Sequence, residues 1–447
     1  MDKKTDILIV GAGPAGVVCA GTAGKYYPGK KITVLKNVEN GVVPCGIPYM
    51  FSSLKSCDEN MAGTIALEEK GVEVFAAHAE AIDRDKKMLR TKNGDDYTYE
   101  KLVLATGSSP VVPPIPGIDK NGVYPIYKDM DTLKRTTESV KKAKKVLIIG
   151  GGFIGVEFAD ELSEASDVNV YLAEMLPSIL ANSFDAEFAD LAKEKLEAKG
   201  VEVLTGVRVE ELKGDKNVEE AVLSSGRTVK VDAVVLGIGA SPNTALADNT
   251  GLDLRKGKGI WVDEYMRTSD PDIFAVGDCA GKRDFYTRKD TLVMLASTAT
   301  AEARIAGANL YQLKVVRENK GTIAIYSTYV DGLVLGSAGL TEVSARKEGF
   351  EIVTGCAEMM DKHPAAMPGA KKIKVKLIFS KHSGIIMGGQ VAGGMSAGEM
   401  INTIGMAIQQ RVSLSELETL QVATHPYLTS APTMYPLVVA AQNAQVL

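Results

Sequence analysis

The sequence lacks an excess of positive charge and a long hydrophobic run, and each absence excludes a class of protein. Its 447 residues carry a formal net charge of -5 at pH 7, so it has no basic footprint for nucleic acid. No apolar stretch approaches the roughly 18 residues that a membrane-spanning helix needs, and the first residues contain no signal-peptide core. We therefore expect a cytoplasmic protein whose partners are small molecules.

Paired cysteines are also lacking. The chain has five cysteines, an odd number, and no CxxC motif. This pattern indicates neither a disulfide framework nor a zinc site, so we expect no metal. A single reactive thiol stays open as a possibility. The cysteines are Cys19, Cys45, Cys57, Cys279 and Cys356.

Two segments share the pattern of strand, glycine-rich turn, helix and second strand. The first contains GAGPAG at 11–16 and the second GGGFIG at 150–155. Such turns let the backbone approach a pyrophosphate at a helix N-terminus. One motif is weak evidence, but two in this context predict two dinucleotide-binding folds. The predicted ligand-binding residues are Gly11, Gly13, Pro14, Ala15 and Gly16, and then Gly150, Gly152, Phe153, Ile154 and Gly155.

An acidic residue at the end of the second strand is expected to bind the adenosine ribose of each dinucleotide. In the second fold this residue is Glu174, and Met175 follows it with no basic residue nearby, which favours NADH over NADPH. The first fold departs from the rule, because Lys36 stands at the acidic position and Glu39 is the nearby candidate to replace it. Alternatively, Lys36 is a surface lysine and the backbone alone holds the adenosine.

Further motifs occur in a fixed order along the chain. They are Ala105-Thr106-Gly107, LGIGASPNT ending at Thr244, and VDEYMRTSDPDIFAVGDCA ending at Ala280. With the two glycine turns, they make the chain resemble the pyridine nucleotide-disulfide oxidoreductases over essentially its whole length. The resemblance implies FAD at the first fold and NADH at the second.

The same resemblance implies roles for single residues. Asp278 is expected to bind the FAD ribityl chain, Gly277 the pyrophosphate, and Glu157 to lie beside the nicotinamide. Further cofactor-binding residues are Ala79, Ala105, Thr106, Gly107 and Ala296 for FAD, and Gly239 for NADH.

The expected fold class is α/β, with two Rossmann-like domains and a C-terminal α+β dimerisation domain. A proline-rich crossover at 108–119 marks the first boundary. An alanine-rich segment at 291–310 predicts a helix, and strand patterns followed by two helices around 397–420 make up the last domain. The predicted domains are 1–111 with 246–322 for FAD, 112–245 for NAD and 323–447 for dimerisation.

The segment VVPCGIPYM at 42–50 places the chain in a sub-branch. Glutathione reductases and lipoamide dehydrogenases carry a second cysteine five positions after the first, where this chain has Met50. The lone Cys45 resembles the coenzyme A-disulfide reductase, polysulfide reductase and NADH oxidase/peroxidase branch, where the thiol lies against the flavin. A helix N-terminus at this turn would lower its pKa. The alternative is that Cys45 is a small buried residue; the other four cysteines are expected to be structural.

Three departures from the branch bear on the electron acceptor. Pro14 stands where NADH oxidases and peroxidases carry a histidine, which disfavours oxygen as acceptor. Met367 and Thr424 stand at or beside the paired tyrosines of coenzyme A-disulfide reductases, and of the basic residues late in their first helix only Lys25 remains. Binding of coenzyme A is therefore left open.

His425 is the second predicted catalytic residue. In two-cysteine relatives the partner subunit's histidine acts as acid or base beside the thiol, followed five residues later by a glutamate, where this chain has Ser430. The resemblance implies a homodimer with His425 of one subunit near Cys45 of the other. His425 is suited to protonating a leaving thiolate, or it is a packing residue.

We therefore predict an enzyme that passes a hydride from NADH through FAD and Cys45 to a small disulfide, persulfide or polysulfide. One alternative is an NADH oxidase that reduces oxygen. The other, from a different class, is a redox-sensing or electron-carrying flavoprotein.

Overall fold

A computed structural model describes residues 2–164, 167–316 and 319–444 of the chain. Its fold is α/β, as predicted. The chain divides into two compact units. The first comprises 1–111, 126–138 and 240–322, and the second comprises 112–125, 139–239 and 323–447.

The core of the first unit is a five-stranded parallel sheet. Its central strand, Ile7–Val10, is buried along its whole length, as expected for an apolar run whose sheet is covered on both faces. The first glycine turn follows this strand directly. Across the sheet the strands follow the order Ile273–Ala275, Lys101–Leu104, Ile7–Val10, Ile32–Lys36 and Glu73–Ala76.

Two helices of small residues pack together in this unit, Pro14–Tyr26 and Ala296–Ala308. Their approach is close, because a Cβ added to Gly307 would lie 2.8 Å from the Cys19 backbone oxygen. The helix predicted over 291–310 begins only at Ala296, since Asp290–Thr291 pairs as a short strand instead.

Most of the remaining elements of the first unit are short. A second sheet has four strands, and several two-stranded pairs lie in the connections. The four strands are Asp2–Lys4, Asp96–Thr98, Met88–Thr91 and Ala79–Asp83; the pairs are Gly41–Val42 with Met61–Ala62, Ser108–Pro110 with Ala240–Pro242, Leu254–Arg255 with Gly259–Ile260, and Lys282–Arg283 with Asp290–Thr291. The helices are Ile65–Glu68, Ala245–Asp248 and Met130–Lys142, whose last turn belongs to the second unit.

The second unit repeats the parallel sheet of the first. Its central strand, Lys145–Ile149, again precedes a glycine turn and the helix Phe153–Leu162. The strand order is Val123–Pro125, Ala233–Leu236, Lys145–Ile149, Asn169–Glu174 and Glu202–Thr205. A three-stranded antiparallel sheet, Val209–Lys213, Glu220–Leu223 and Thr228–Lys230, and the helix Ala186–Ala198 accompany it.

A five-stranded antiparallel sheet forms the C-terminal part of the second unit. The helix Ala397–Gln410 packs on it, and with Leu414–Glu418 it confirms the two helices predicted around 397–420. The strand order is Ile325–Val330, Leu333–Gly339, Ile386–Gly393, Lys372–Ser380 and Ile352–Met360, and the other helices are Glu342–Lys347 and Pro436–Gln442.

The proline-rich crossover at 108–119 begins with a short strand, because Ser108–Pro110 pairs with Ala240–Pro242. A proline is tolerated there because this ladder has only two strands and leaves an edge free. Among the residues that the structure describes, none of the helices is both long and apolar enough to cross a membrane.

Candidate functional site

The first glycine turn joins the central strand to the helix Pro14–Tyr26. Gly11 has φ +115°, and a Cβ added there would lie 2.1 Å from the Ala105 backbone oxygen. A Cβ on Gly16 would lie 1.8 Å from the Gly11 oxygen, so both positions require glycine. A Cβ on Gly13 meets nothing within 4 Å, which leaves the backbone at the helix N-terminus open to a ligand.

The second glycine turn has the same construction. Gly150 has φ +106°, and a Cβ added there would lie 2.7 Å from the Gly237 backbone oxygen. A Cβ on Gly155 would lie 1.8 Å from the Gly150 oxygen, whereas one on Gly152 meets nothing within 4 Å. Both turns therefore fit a pyrophosphate, since the open glycine of each caps a helix of ten or more residues.

Glu174 lies at the end of its strand against the second turn. Its Oε2 accepts a hydrogen bond of 2.6 Å from the Gly151 backbone, and its Oε1 accepts one of 2.7 Å from the Leu176 backbone. These bonds fix the carboxylate while each oxygen keeps a lone pair for a ribose hydroxyl. The next residue, Met175, is 63% exposed.

Lys36 ends the corresponding strand of the first unit. Its Nζ donates a hydrogen bond of 2.7 Å to the backbone oxygen of Glu39. Lys36, at the position expected for the ribose-binding acid, and Glu39, the candidate to replace it, are thus in contact in the structure. Glu39 is exposed.

Asp278 follows the strand Ile273–Ala275 in the short 3-10 turn Gly277–Cys279. Its Oδ2 accepts hydrogen bonds from Ser108 Oγ (2.7 Å) and Lys128 Nζ (3.0 Å). Burial alone would raise the pKa of Asp278, but the positive charge of Lys128 and these hydrogen bonds outweigh it and lower that pKa. The carboxylate is therefore ionised and able to accept a hydroxyl donor.

The Ala105-Thr106-Gly107 segment leaves the sheet beside Gly11. It is held by Asn243, because Thr106 Oγ1 donates to the Asn243 backbone oxygen (2.8 Å) and Asn243 Nδ2 donates to the Thr106 backbone oxygen (2.9 Å). The other predicted cofactor residues lie at element ends or turns. Ala79 begins a strand, Ala296 begins a helix, and Gly239 has φ +98° with open space beside it.

Cys45 is exposed and lies in the 3-10 helix Pro44–Gly46, which a second one, Pro48–Phe51, follows. The expected helix N-terminus is thus two short 3-10 turns, because the prolines interrupt a longer ladder. The alternative of a buried cysteine is contradicted by this exposure.

Asn60 holds the turn that presents Cys45. It is 4% exposed, and its Nδ2 donates to the Val43 backbone oxygen at 3.1 Å. Its own backbone oxygen accepts from the Val43 N–H at 3.0 Å. A Cβ added to Gly46 would lie 2.0 Å from Asn60 Oδ1, so only glycine allows this packing.

The other cysteines differ from one another. Cys19 and Cys279 are fully buried, and burial raises the pKa of both thiols, that of Cys19 to about 12. These two are in the environment expected of structural cysteines. Cys57 is half-buried and Cys356 is exposed on a strand, although burial raises the pKa of the Cys356 thiol.

Glu157 lies on the helix that follows the second turn. Its Oε1 accepts a hydrogen bond of 2.8 Å from Thr328 Oγ1, on the strand Ile325–Val330. Burial raises the pKa of Glu157 to about 7, against the lowering effect of Thr328. Phe153, expected at the cofactor, has its ring stacked on Tyr326 at 4.7 Å between centroids, whereas Ile154 is 38% exposed.

His425 lies on an exposed loop of the C-terminal part. Its Nδ1 accepts a hydrogen bond of 3.3 Å from the Tyr427 backbone, which assigns the proton of the neutral ring to Nε2. The loop is anchored by Ser430, which is 3% exposed and donates from Oγ to the Met360 backbone oxygen at 2.7 Å. The residue at the glutamate position of relatives thus has a structural role here.

The structure adds functional candidates that the sequence alone did not provide. Ser108 and Lys128 reach Asp278 from distant positions in the chain, and Asn60 reaches the Cys45 turn. None of the three lies in a recognisable motif. The sequence around Ser108 is rich in proline, which indicates a connection and not a ligand-binding role.

Comparisons with known proteins agree with this geometry. A family profile described as "Pyridine nucleotide-disulphide oxidoreductase" matches residues 5–303. A second, described as the dimerisation domain of the same proteins, matches residues 325–435.

Similar curated proteins include an NADH oxidase from Methanocaldococcus jannaschii, 32% identical over 450 residues that cover 98% of each chain. An NAD(P)H coenzyme A polysulfide/persulfide reductase from Pyrococcus horikoshii is 31% identical over 88% of each chain. Among solved structures, an NAD-dependent persulfide reductase from A. fulgidus has a TM-score of 0.89 at 30% identity, covering 99% of this chain and 82% of that one. A water-forming NADH oxidase from Lactobacillus brevis bound to NADH has a TM-score of 0.89 at 25% identity, over 98% and 97% of the two chains.

Proposed function

Because this chain belongs to the pyridine nucleotide-disulphide oxidoreductase family, we propose that it passes electrons from NADH through FAD and Cys45 to a small disulfide, persulfide or polysulfide. It is an oxidoreductase whose cofactors are FAD and a pyridine nucleotide. The observation that carries the rest of the proposal is the exposed Cys45, presented by a turn that Asn60 holds in place.

FAD is assigned to the first glycine turn. Gly13 leaves open backbone for its pyrophosphate in the turn that Gly11 and Gly16 keep tight, and ionised Asp278 is placed to accept from a ribityl hydroxyl. Ala105, Thr106 and Gly107 leave the neighbouring strand beside this turn, and Lys36 or Glu39 faces the adenosine. The proposed FAD domain spans 1–111 and 246–322; Pro14, Ala15, Ala79, Gly277 and Ala296 complete the set.

NADH is assigned to the second glycine turn in a domain spanning 112–245. The Glu174 carboxylate is oriented by two backbone hydrogen bonds, and exposed Met175 offers no positive charge to a 2'-phosphate. This supports NADH over NADPH. Gly150, Gly152, Phe153, Ile154, Gly155, Glu157 and Gly239 complete the proposed set.

The chemistry proposed for the sulfur centre is thiol-disulfide exchange. The Cys45 thiolate attacks one sulfur of the acceptor and forms a mixed disulfide with it, the S–S bond of the acceptor breaks, and the leaving thiolate takes a proton. Bound FAD would supply the electron pair, received as a hydride from NADH, that reduces the mixed disulfide, restores the Cys45 thiolate and releases the second thiol. In total, NADH, a proton and RSSR give NAD+ and two RSH.

The proton donor in this proposal is the partner subunit's His425, in a homodimer formed through 323–447. Transfer of the Nε2 proton requires the imidazolium form, in which Nδ1 also carries a proton, so the contact between Nδ1 and the Tyr427 backbone N–H is released in that form. The matching dimerisation-domain profile supports the assembly.

Oxygen is the second candidate acceptor. Relatives named NADH oxidases favour it. Against it, Pro14 occupies the position in the first turn where oxidases and peroxidases of this type carry a histidine.

An acceptor screen tests the proposal. Under anaerobic conditions, NADH consumption is measured with coenzyme A disulfide, glutathione disulfide or polysulfide, and separately with oxygen. We expect turnover with at least one sulfur acceptor that exceeds turnover with oxygen. Turnover with oxygen alone would replace the disulfide proposal by an oxidase, and turnover with none of these acceptors would contradict both.

A further inference from the structure

Lys282 and Glu302 form an ion pair that is buried behind the turn carrying Asp278. The two residues are 4% and 1% exposed. Lys282 Nζ lies 3.2 Å from Glu302 Oε1 and 3.3 Å from Oε2. Removing two charges from water is unfavourable by several kcal/mol per ion, so such a pair is weak evidence for a stabilising role. The contacts of the two groups indicate another role.

Both charged groups bind the backbone of the same turn. The Gly277 N–H donates to Glu302 Oε2 at 2.9 Å. Lys282 Nζ donates to the Gly277 oxygen at 2.7 Å and to the Ala280 oxygen at 3.1 Å. The pair thus holds both ends of the turn Gly277–Ala280, and the three protons of Lys282 all have acceptors.

The first residue of the turn is also confined. Gly277 has φ +77°, and a Cβ added there would lie 2.9 Å from the Cβ of Ala15, on the first glycine helix. Asp278 is the next residue, between the two that the pair holds. The backbone that Lys282 and Glu302 hold therefore acts together with the hydrogen bonds from Ser108 and Lys128 to place its carboxylate.

We propose that Lys282 and Glu302 are positioning residues, which hold Gly277 and Asp278 in the geometry that binds FAD. This inference rests on the proposed function, since it takes from it the assignment of Asp278 to FAD. The two residues act through the backbone of the turn and are not required to touch the cofactor.

The test compares FAD binding with folding. Flavin is removed from the full chain, and the FAD dissociation constant and the melting temperature of the apoprotein are measured for Lys282→Met, Glu302→Gln and the double variant Lys282→Met/Glu302→Leu. The double variant replaces both charges by apolar groups and avoids an unpaired buried charge. Lys31→Met is the matched control, because Lys31 forms an exposed ion pair with Glu73 in the same unit.

We expect the double variant to raise the FAD dissociation constant about tenfold or more while the apoprotein melts within a few degrees of the parent. Lys31→Met should leave the dissociation constant unchanged. An unchanged FAD dissociation constant in the double variant would overturn the proposal. So would weaker FAD binding that is accompanied in all three variants by a large fall in the melting temperature of the apoprotein.

A double-mutant cycle with Asp278→Asn identifies the route of the effect. If the pair acts through Asp278, the double variant should weaken FAD binding less in the Asp278→Asn background than in the parent. Equal weakening in both backgrounds would overturn the proposal. If Asp278→Asn itself leaves FAD binding unchanged, the flavin assignment fails as well; if it weakens binding and the pair variants do not, only this inference fails.

Discussion

Thr328 Oγ1 donates a hydrogen bond of 2.8 Å to Glu157 Oε1 and thereby joins a strand of the C-terminal sheet to the helix that follows the second glycine turn. Despite this bond, burial and the nearby charges of Glu161 and Asp160 raise the pKa of Glu157 to about 7. The folded chain therefore holds a proton that the unfolded chain releases near pH 4.5, the ordinary value.

The stability contributed by protonated Glu157 is fully present below about pH 4.5 and is lost as the pH rises towards 7. Glu157→Gln removes this dependence of stability on pH. The melting temperature of the variant minus that of the parent should therefore increase from pH 5 to pH 8. The gain corresponds to about 3 kcal/mol at most. Thermal melts of the apoprotein at four pH values measure it.

The control for this experiment is Glu194→Gln, at an exposed position on another helix of the same unit. Its melting difference should not change with pH. A Glu157→Gln difference that is equally flat would show that Glu157 ionises normally.

The two open glycines should separate the two cofactors. Because a Cβ fits at Gly13 and Gly152 without a contact, Gly13→Val should weaken FAD binding and Gly152→Val should raise the KM for NADH, each by about tenfold or more with folding preserved. FAD titration and steady-state kinetics measure these effects. Gly29→Val, at an equally open position outside both turns, is the control. Weakening of both cofactors by either variant would contradict the assignment.

Nucleotide preference should change at Met175. This residue is 63% exposed and follows Glu174, the expected ribose ligand. Met175→Arg should lower the KM for NADPH several-fold by offering a positive charge to the 2'-phosphate. The ratio of kcat/KM for the two nucleotides measures the effect, and an unchanged ratio would place the ribose elsewhere. Met395→Arg, at another exposed methionine, controls for added charge.

Asn60 should affect the sulfur chemistry alone. Asn60→Ala removes the amide hydrogen bond to Val43 and frees the space above Gly46, so the Cys45 turn loses its fixed position. We expect acceptor reduction to slow about tenfold while flavin reduction by NADH keeps its rate. Stopped-flow absorbance follows the two half-reactions separately. Asn402→Ala, at an exposed position, should change neither, and slowing of flavin reduction in Asn60→Ala would contradict a local role.

The glycine turns could be predicted because their requirements are local. Gly11 and Gly16 contact each other within one turn, and the strand and helix beside them have clear apolar patterns. The position of Cys45 in a proline-rich turn is local too. The sequence could therefore predict the two parallel sheets, and it identified Cys45 as a candidate.

The rest depends on contacts between distant residues. Lys128 meets Asp278 150 positions away, and Glu302 reaches Gly277 from within an alanine-rich helix that has no motif. The helix N-terminus expected after the Gly-Ile-Pro turn belongs to the short 3-10 helix Pro48–Phe51, and Cys45 itself lies in the preceding one, Pro44–Gly46. Contacts of this kind form only in the folded chain, and no motif or residue spacing in the sequence indicates them.

The most direct test of the proposed electron path is a half-reaction experiment with Cys45→Ser. Enzyme is reduced anaerobically by NADH and then mixed with polysulfide, and flavin absorbance is followed in both steps. The account predicts equal reduction rates for parent and variant, with reoxidation by polysulfide at least about a hundredfold slower in Cys45→Ser. Reoxidation of Cys45→Ser by polysulfide at the parent rate would contradict it.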